Sequence, residues 1–79
     1  MPRYFFDTRE GPELLRDKEG LELDGIQKAR NEATRALVDL ARDVIPGCER
    51  GELAIEVRDR LNVRLLRAAL SYEVAVLAR

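Results

Sequence analysis

Asp24-Gly25-Ile26-Gln27-Lys28-Ala29-Arg30-Asn31-Glu32-Ala33-Thr34-Arg35-Ala36-Leu37-Val38-Asp39-Leu40-Ala41-Arg42-Asp43-Val44-Ile45-Pro46-Gly47 is the stretch that decides the fold. Ile26, Ala29, Ala33, Ala36, Leu37, Leu40, Ala41 and Val44 recur at three- and four-residue spacing, one apolar stripe of a 3.6-residue period. Lys28, Glu32, Arg35, Asp39 and Arg42 fall on the opposite side, a solvated face. Asp24 has the chemistry of an N-cap, and Gln27 stands three residues on as a capping-box partner, so the helix is expected to begin at Asp24. Pro46 disfavours helical geometry in the residue before it and ends the element.

Everything on either side of this helix alternates instead. Upstream, Arg3-Tyr4-Phe5-Phe6-Asp7-Thr8 is a compact aromatic run of strand-forming type. Glu10-Gly11-Pro12 reads as a turn and Leu14-Leu15-Arg16 as a short return strand. Asp17-Lys18-Glu19-Gly20 turns the chain again, leaving Leu21-Glu22-Leu23 as a brief extended piece. Downstream, Leu53, Ile55 and Val57 share one face of a strand by period two. After the turn Asp59-Arg60-Leu61-Asn62, a long last strand carries Leu66, Ala68, Leu70, Tyr72, Val74 and Val76 on one face. Leu65, Arg67, Ala69, Ser71, Glu73 and Ala75 lie on the other. The order β–β–α–β–β predicts an α+β fold of one domain over residues 1–79, with one helix packed on one face of a four-stranded antiparallel sheet.

Composition narrows the chemistry. Cys48 is the only cysteine and there is no histidine, so an intramolecular disulfide is excluded and a zinc or iron–sulfur site is not expected. No cofactor is expected. Met1-Pro2-Arg3-Tyr4 lacks the apolar core of a secretion signal, and no apolar run approaches the ~20 residues of a membrane span, which points to the cytoplasm. The 14 basic and 15 acidic residues nearly cancel, removing an overall electrostatic drive toward nucleic acid or anionic lipid. A short chain has a thin stability margin. Without disulfide or metal, a partner subunit is the remaining way to widen it.

No set of residues announces an enzyme. Asp17, Glu19, Glu22 and Asp24 cluster in one loop, but the EF-hand positions counted from Asp17 hold Glu22 and Lys28 where Gly and Glu belong. Cys48 and Ser71 have no histidine to activate them, and the scattered glycines build no phosphate cradle. Arg58, Arg60, Arg64 and Arg67, with Phe5 and Tyr72 as stacking groups, have the composition of an RNA-binding sheet. Glu52, Glu56, Asp59 and Glu73 on the same strands make cross-strand ion pairs the simpler account.

Four blocks in order carry a resemblance. They are Met1-Pro2-Arg3-Tyr4-Phe5-Phe6-Asp7, the loop Arg16-Asp17-x-Glu19-Gly20-x-Glu22-Leu23, the helix segment Ala29-Arg30-x-Glu32-Ala33-x-x-Ala36-Leu37, and Glu52-Leu53-Ala54-Ile55-Glu56-Val57-Arg58-Asp59. Together they resemble a family of short uncharacterised alpha-proteobacterial proteins that often begin with the same heptapeptide, a domain of unknown function. The resemblance implies a bacterial source and no particular activity. A weaker similarity is to the β–β–α–β cores of HicB-type antitoxins, which bind an RNA-cleaving toxin. This chain lacks their Pro-Asp-Leu-Pro-Gly-like loop and the DNA-binding segment that many of them append.

The sequence therefore points to a small non-catalytic protein-interaction module, expected as a homodimer. The alternative is an antitoxin-like or RNA-associated regulator. If Tyr4 and Phe6 face the helix with Leu53, Ile55, Leu70 and Val74, period two sends Phe5 outward, where Leu65, Ala69 and Ala75 are candidates for the same dimer face. Three consecutive aromatics leave that alternation ambiguous, and pairing along the edge of the long last strand remains open beside it.

Overall fold

The computed structural model describes residues 1–78. Strands β1 (Arg3–Glu10), β2 (Glu13–Leu15) and β3 (Leu21–Glu22) precede helix α1 (Ile26–Val44) and a 3-10 turn at Ile45–Gly47. Strands β4 (Arg50–Arg58) and β5 (Arg64–Glu73) follow. All strand pairs are antiparallel, in the order β2-β1-β4-β5, and β3 joins β1 on the same side as β2. The protein is thus α+β, one helix on an antiparallel sheet. The sheet has five strands, because the extended piece at Leu21 and Glu22 pairs with Tyr4 and Arg3.

Register explains which residues make the core. Phe6 lies opposite Val57, Val57 opposite Leu66, and Leu53 opposite Leu70, so these point to one face. That face and Tyr4 pack with Ala29, Ala33 and Leu37 of α1. Ala29 and Ala33 have no exposed surface, since methyl side chains let the helix backbone come close to the sheet. The helix lies over β4 and β5. Its apolar stripe is narrower than the sequence suggests: Ile26 is 46% exposed.

The helix start also differs from the expectation. Gly25, not Asp24, is the N-cap, and no side chain caps the helix. Gly25 has φ of 138°, a value that L side chains rarely adopt, and it sits between Asp24 and the first helical turn. Asp24 is exposed one residue too early. At the other end, helical geometry gives way to the 3-10 turn at Ile45, just before Pro46, as proline chemistry requires.

The last strand stops at Glu73 rather than running to Val76. Val74 still donates its N–H to the Glu49 carbonyl, but Ala75 to Ala78 lie in no strand. A bulge between β4 and β5, where Val57 faces Leu66 and Arg58 faces Arg64, leaves Leu65 as the extra residue.

Candidate interaction surface

Away from the helix, the sheet presents Phe5, Asp7 and Arg9 from β1. Opposite them stand Arg58, Glu56 and Ala54 from β4, then Arg67, Ala69 and Ser71 from β5. The polar groups here are used up among themselves. Asp7 is buried, accepting from Arg58 Nε at 2.9 Å and from the Asp17 backbone N–H at 2.9 Å. Arg58 also donates to the Asp17 carbonyl at 2.7 Å and lies 4.7 Å from the centre of the Phe5 ring. Glu56, also buried, takes Arg9 Nε and Arg67 Nε on one oxygen, each at 3.2 Å. Burial alone raises the Glu56 carboxyl, but those two guanidinium hydrogen bonds together with the Arg9 and Arg64 charges hold it below its ordinary value.

Asp17 organises the loop that the sequence marked as acidic. Its carboxylate accepts from the backbone N–H groups of Phe6, Glu19 and Gly20 at 3.0 to 3.1 Å. Desolvation raises this carboxyl; the three N–H donors and the Arg58 charge together bring it below the ordinary value. Gly20 closes the loop with φ of 73°. A Cβ there would lie 2.9 Å from both Arg3 Cγ and Phe5 Cε2, so Phe5 is covered by this loop as well as by Arg58. Among the described residues, no group of three or more His, Cys, Asp or Glu side chains is placed to hold a metal ion. Nor does any buried side-chain nitrogen or oxygen there lack a partner.

The two edges of the sheet are treated differently. On β1, the N–H of Phe6 faces the edge between β2 and β3, and the Asp17 carboxylate occupies that gap. The β1 edge is thus closed by two short strands and one side chain. At the other edge, β4 is the one partner strand of β5 among the described residues. Val74 points its N–H to β4, so alternation turns the even-numbered residues 66–72 toward β4 and the odd-numbered ones outward. The main-chain groups of Arg67, Ala69, Ser71 and Glu73 therefore face open space.

Exposed apolar side chains are spread over the molecule, Leu15 of β2 and Leu61 of the β4–β5 turn among them, and four belong to β5 and the segment after it. Leu65 is 40% exposed and Val74 58%, while Val76 and Leu77 are almost bare at 88% and 95%. Of the residues that the sequence proposed for an interface, Leu65 and Ala69 lie on β5 and Ala75 two residues past its end, all exposed. Phe5 does face away from the helix, but it is half-buried under Arg58 and on β1, two strands away from β5, which sequence patterning could not show. The remaining corner holds the exposed thiol of Cys48. The adjacent Cys48 side chain, with some desolvation, raises the Tyr72 phenol above its ordinary value. Among the described residues, no helix is long and apolar enough to cross a membrane.

One helix on an antiparallel sheet, with ion-paired charges on its outer face and a long unpaired edge at β5, defines a small α+β domain. The chain belongs to the DUF6894 family, a domain of unknown function, whose model matches residues 3–71. No curated protein and no solved structure matches it.

Proposed function

We propose that this chain is a small non-catalytic protein-interaction module that works as a homodimer. The observation that carries the reading is the ten-residue β5, whose outer main-chain groups have no partner strand among the described residues and which is followed by the exposed Val74, Val76 and Leu77. A long open edge is a template for another strand, and soluble proteins normally blunt such edges with proline, lysine or brevity. β5 is ten residues long, and between its bulge and charges at Arg64–Arg67 and Glu73 the run Ala68–Tyr72 carries no proline, charge or bulge. The outer sheet face supports the same reading by offering little chemistry, since Asp7, Glu56, Arg58 and Arg67 are already paired.

An antitoxin-like or RNA-associated role is the second reading, favoured by Arg60 and Arg64. Both are exposed beside the β4–β5 turn, and neither is in an ion pair among the described residues. Sedimentation across a concentration series, with and without a structured RNA at about 150 mM salt, separates the two. Self-association unaffected by RNA supports the first. A monomer that binds RNA in the presence of competitor overturns it.

A further inference from the structure

We propose that the second copy pairs along β5 in one defined antiparallel register, with Leu70 on the two-fold axis; this rests on the homodimer reading above. The occupant is a second copy because the edge is complementary to itself. A two-fold axis normal to the sheet pairs residues whose numbers have a constant even sum, since directly opposed residues share a face. Centring the axis on Leu70 sets Arg67 opposite Glu73 of the other copy, twice over, joining opposite charges on the outer face; Arg67 gives its Nε to Glu56 but its side chain stays 53% exposed, and Glu73 has Arg50 only at 3.9 Å. Moving the axis one residue either way loses that match: Arg67 then faces Ser71 in one direction or Ala75 in the other.

The same register accounts for the apolar segment that follows the strand. It places Val74 beside Leu66, on the helix face, and Ala75 beside Leu65, on the outer face. Val76 and Leu77 then continue toward the other copy's exposed Val63. Ala68 lies opposite Tyr72, a small residue against a large one. The hydrogen-bonding groups agree as well. Arg67, Ala69, Ser71 and Glu73 are the residues whose N–H and C=O face outward, and in this register they meet only one another. The β5 bulge at Leu65 lies at one end and leaves Leu66–Glu73 regular. The opposite edge, closed by β2, β3 and the Asp17 carboxylate, is not available to a second copy in this way.

Two kinds of variant test the register. Ala69→Pro removes an N–H that faces the open edge and donates no hydrogen bond to β4, a placement that edge strands tolerate. It is expected to sediment as a folded monomer at concentrations where the wild type is a dimer. In a Cys48→Ser background, chains carrying Ala69→Cys and chains carrying Ser71→Cys should cross-link when mixed, because opposed residues approach within disulfide range. Ala69→Cys alone should not, since its two copies are offset by two residues, about 7 Å along the strand. A wild type that stays monomeric at high micromolar concentration overturns the homodimer reading and this register with it. A folded Ala69→Pro dimer, or Ala69→Cys chains that cross-link to themselves, overturns the register and leaves the homodimer standing. If Ala69→Pro fails to fold, the cysteine pair decides.

Discussion

Replacing Arg58 with alanine removes the cation that holds the outer sheet face together. Its side chain is 14% exposed and that of Asp7 8%, so the pair is shielded from water on both sides. Removing one partner leaves Asp7 as a buried carboxylate with a single remaining donor, the Asp17 N–H. Breaking buried pairs in this way costs about 3–5 kcal/mol, because the surviving charge is uncompensated. The lost contact with the Phe5 ring adds about 0.5–1 kcal/mol. The Asp17 carbonyl also loses its 2.7 Å donor, though water can reach that half-buried loop. The broken buried pair dominates, so a loss of about 3–5 kcal/mol is expected. Small domains hold roughly 0.05–0.15 kcal/mol per residue, and such a loss consumes much of that margin. Urea denaturation followed by circular dichroism at pH 7 measures it. The double variant Asp7→Leu with Arg58→Met should recover a large part of the loss, as hydrophobic replacement of a whole buried pair often does. An Arg58→Ala protein within 1 kcal/mol of wild type would refute the reasoning.

Further expectations concern the loop, the helix and pH. Gly20→Ala should cost clearly more than Gly11→Ala: both positions have positive φ, but only at Gly20 does a new Cβ meet Arg3 and the Phe5 ring. Equal losses in a melting comparison would contradict that. Asp24→Ala should leave the helix within about 0.5 kcal/mol of wild type, because no side-chain cap is lost; a loss of 1–2 kcal/mol in urea would restore Asp24 as the cap. Ala33→Leu overfills the closest point between helix and sheet and should cost at least about 1–3 kcal/mol, read by thermal denaturation. On acidification, the unfolded chain takes protons at Asp17 and Glu56 before the folded one does, since both carboxyls are lowered in the fold. Their contribution is complete above the ordinary carboxylate values near pH 4 and is lost as pH falls through the lower folded-state values. The urea midpoint should drop over that range, with a shallower drop in Asp17→Asn; a midpoint that rises on acidification would contradict the sign.

The helix was legible because its period is carried by many residues, and the strands on either side because Leu53, Ile55 and Val57 alternate cleanly. The cap was not, since Asp24 and Gln27 satisfy a local pattern that the backbone at Gly25 overrides. Leu21 and Glu22 read as no more than extended, because pairing with β1 depends on a loop tied by the Asp17 carboxylate. The alternation of β5 is plain from the sequence, but its end is not: Val74 and Val76 continue the pattern after the partner strand has run out. The charged outer face needed inter-strand register. Arg9 and Glu56 are far apart in the chain, and only the pairing of β1 with β4 brings them together. The Arg67–Glu56 pair, lying across one hairpin, is the kind of contact that the charge pattern of the strands already suggested.

The most direct measurement of the open-edge account is residue-resolved amide hydrogen exchange along β5. In a lone chain, the amides of Leu66, Ala68, Leu70 and Tyr72 face β4 and are protected, whereas those of Arg67, Ala69, Ser71 and Glu73 face solvent. At concentrations where two copies pair, the account predicts slow exchange at both sets, with protection of Arg67, Ala69, Ser71 and Glu73 fading on dilution. Odd-numbered amides that exchange at unprotected rates at every concentration, beside even-numbered ones that stay slow, would contradict it.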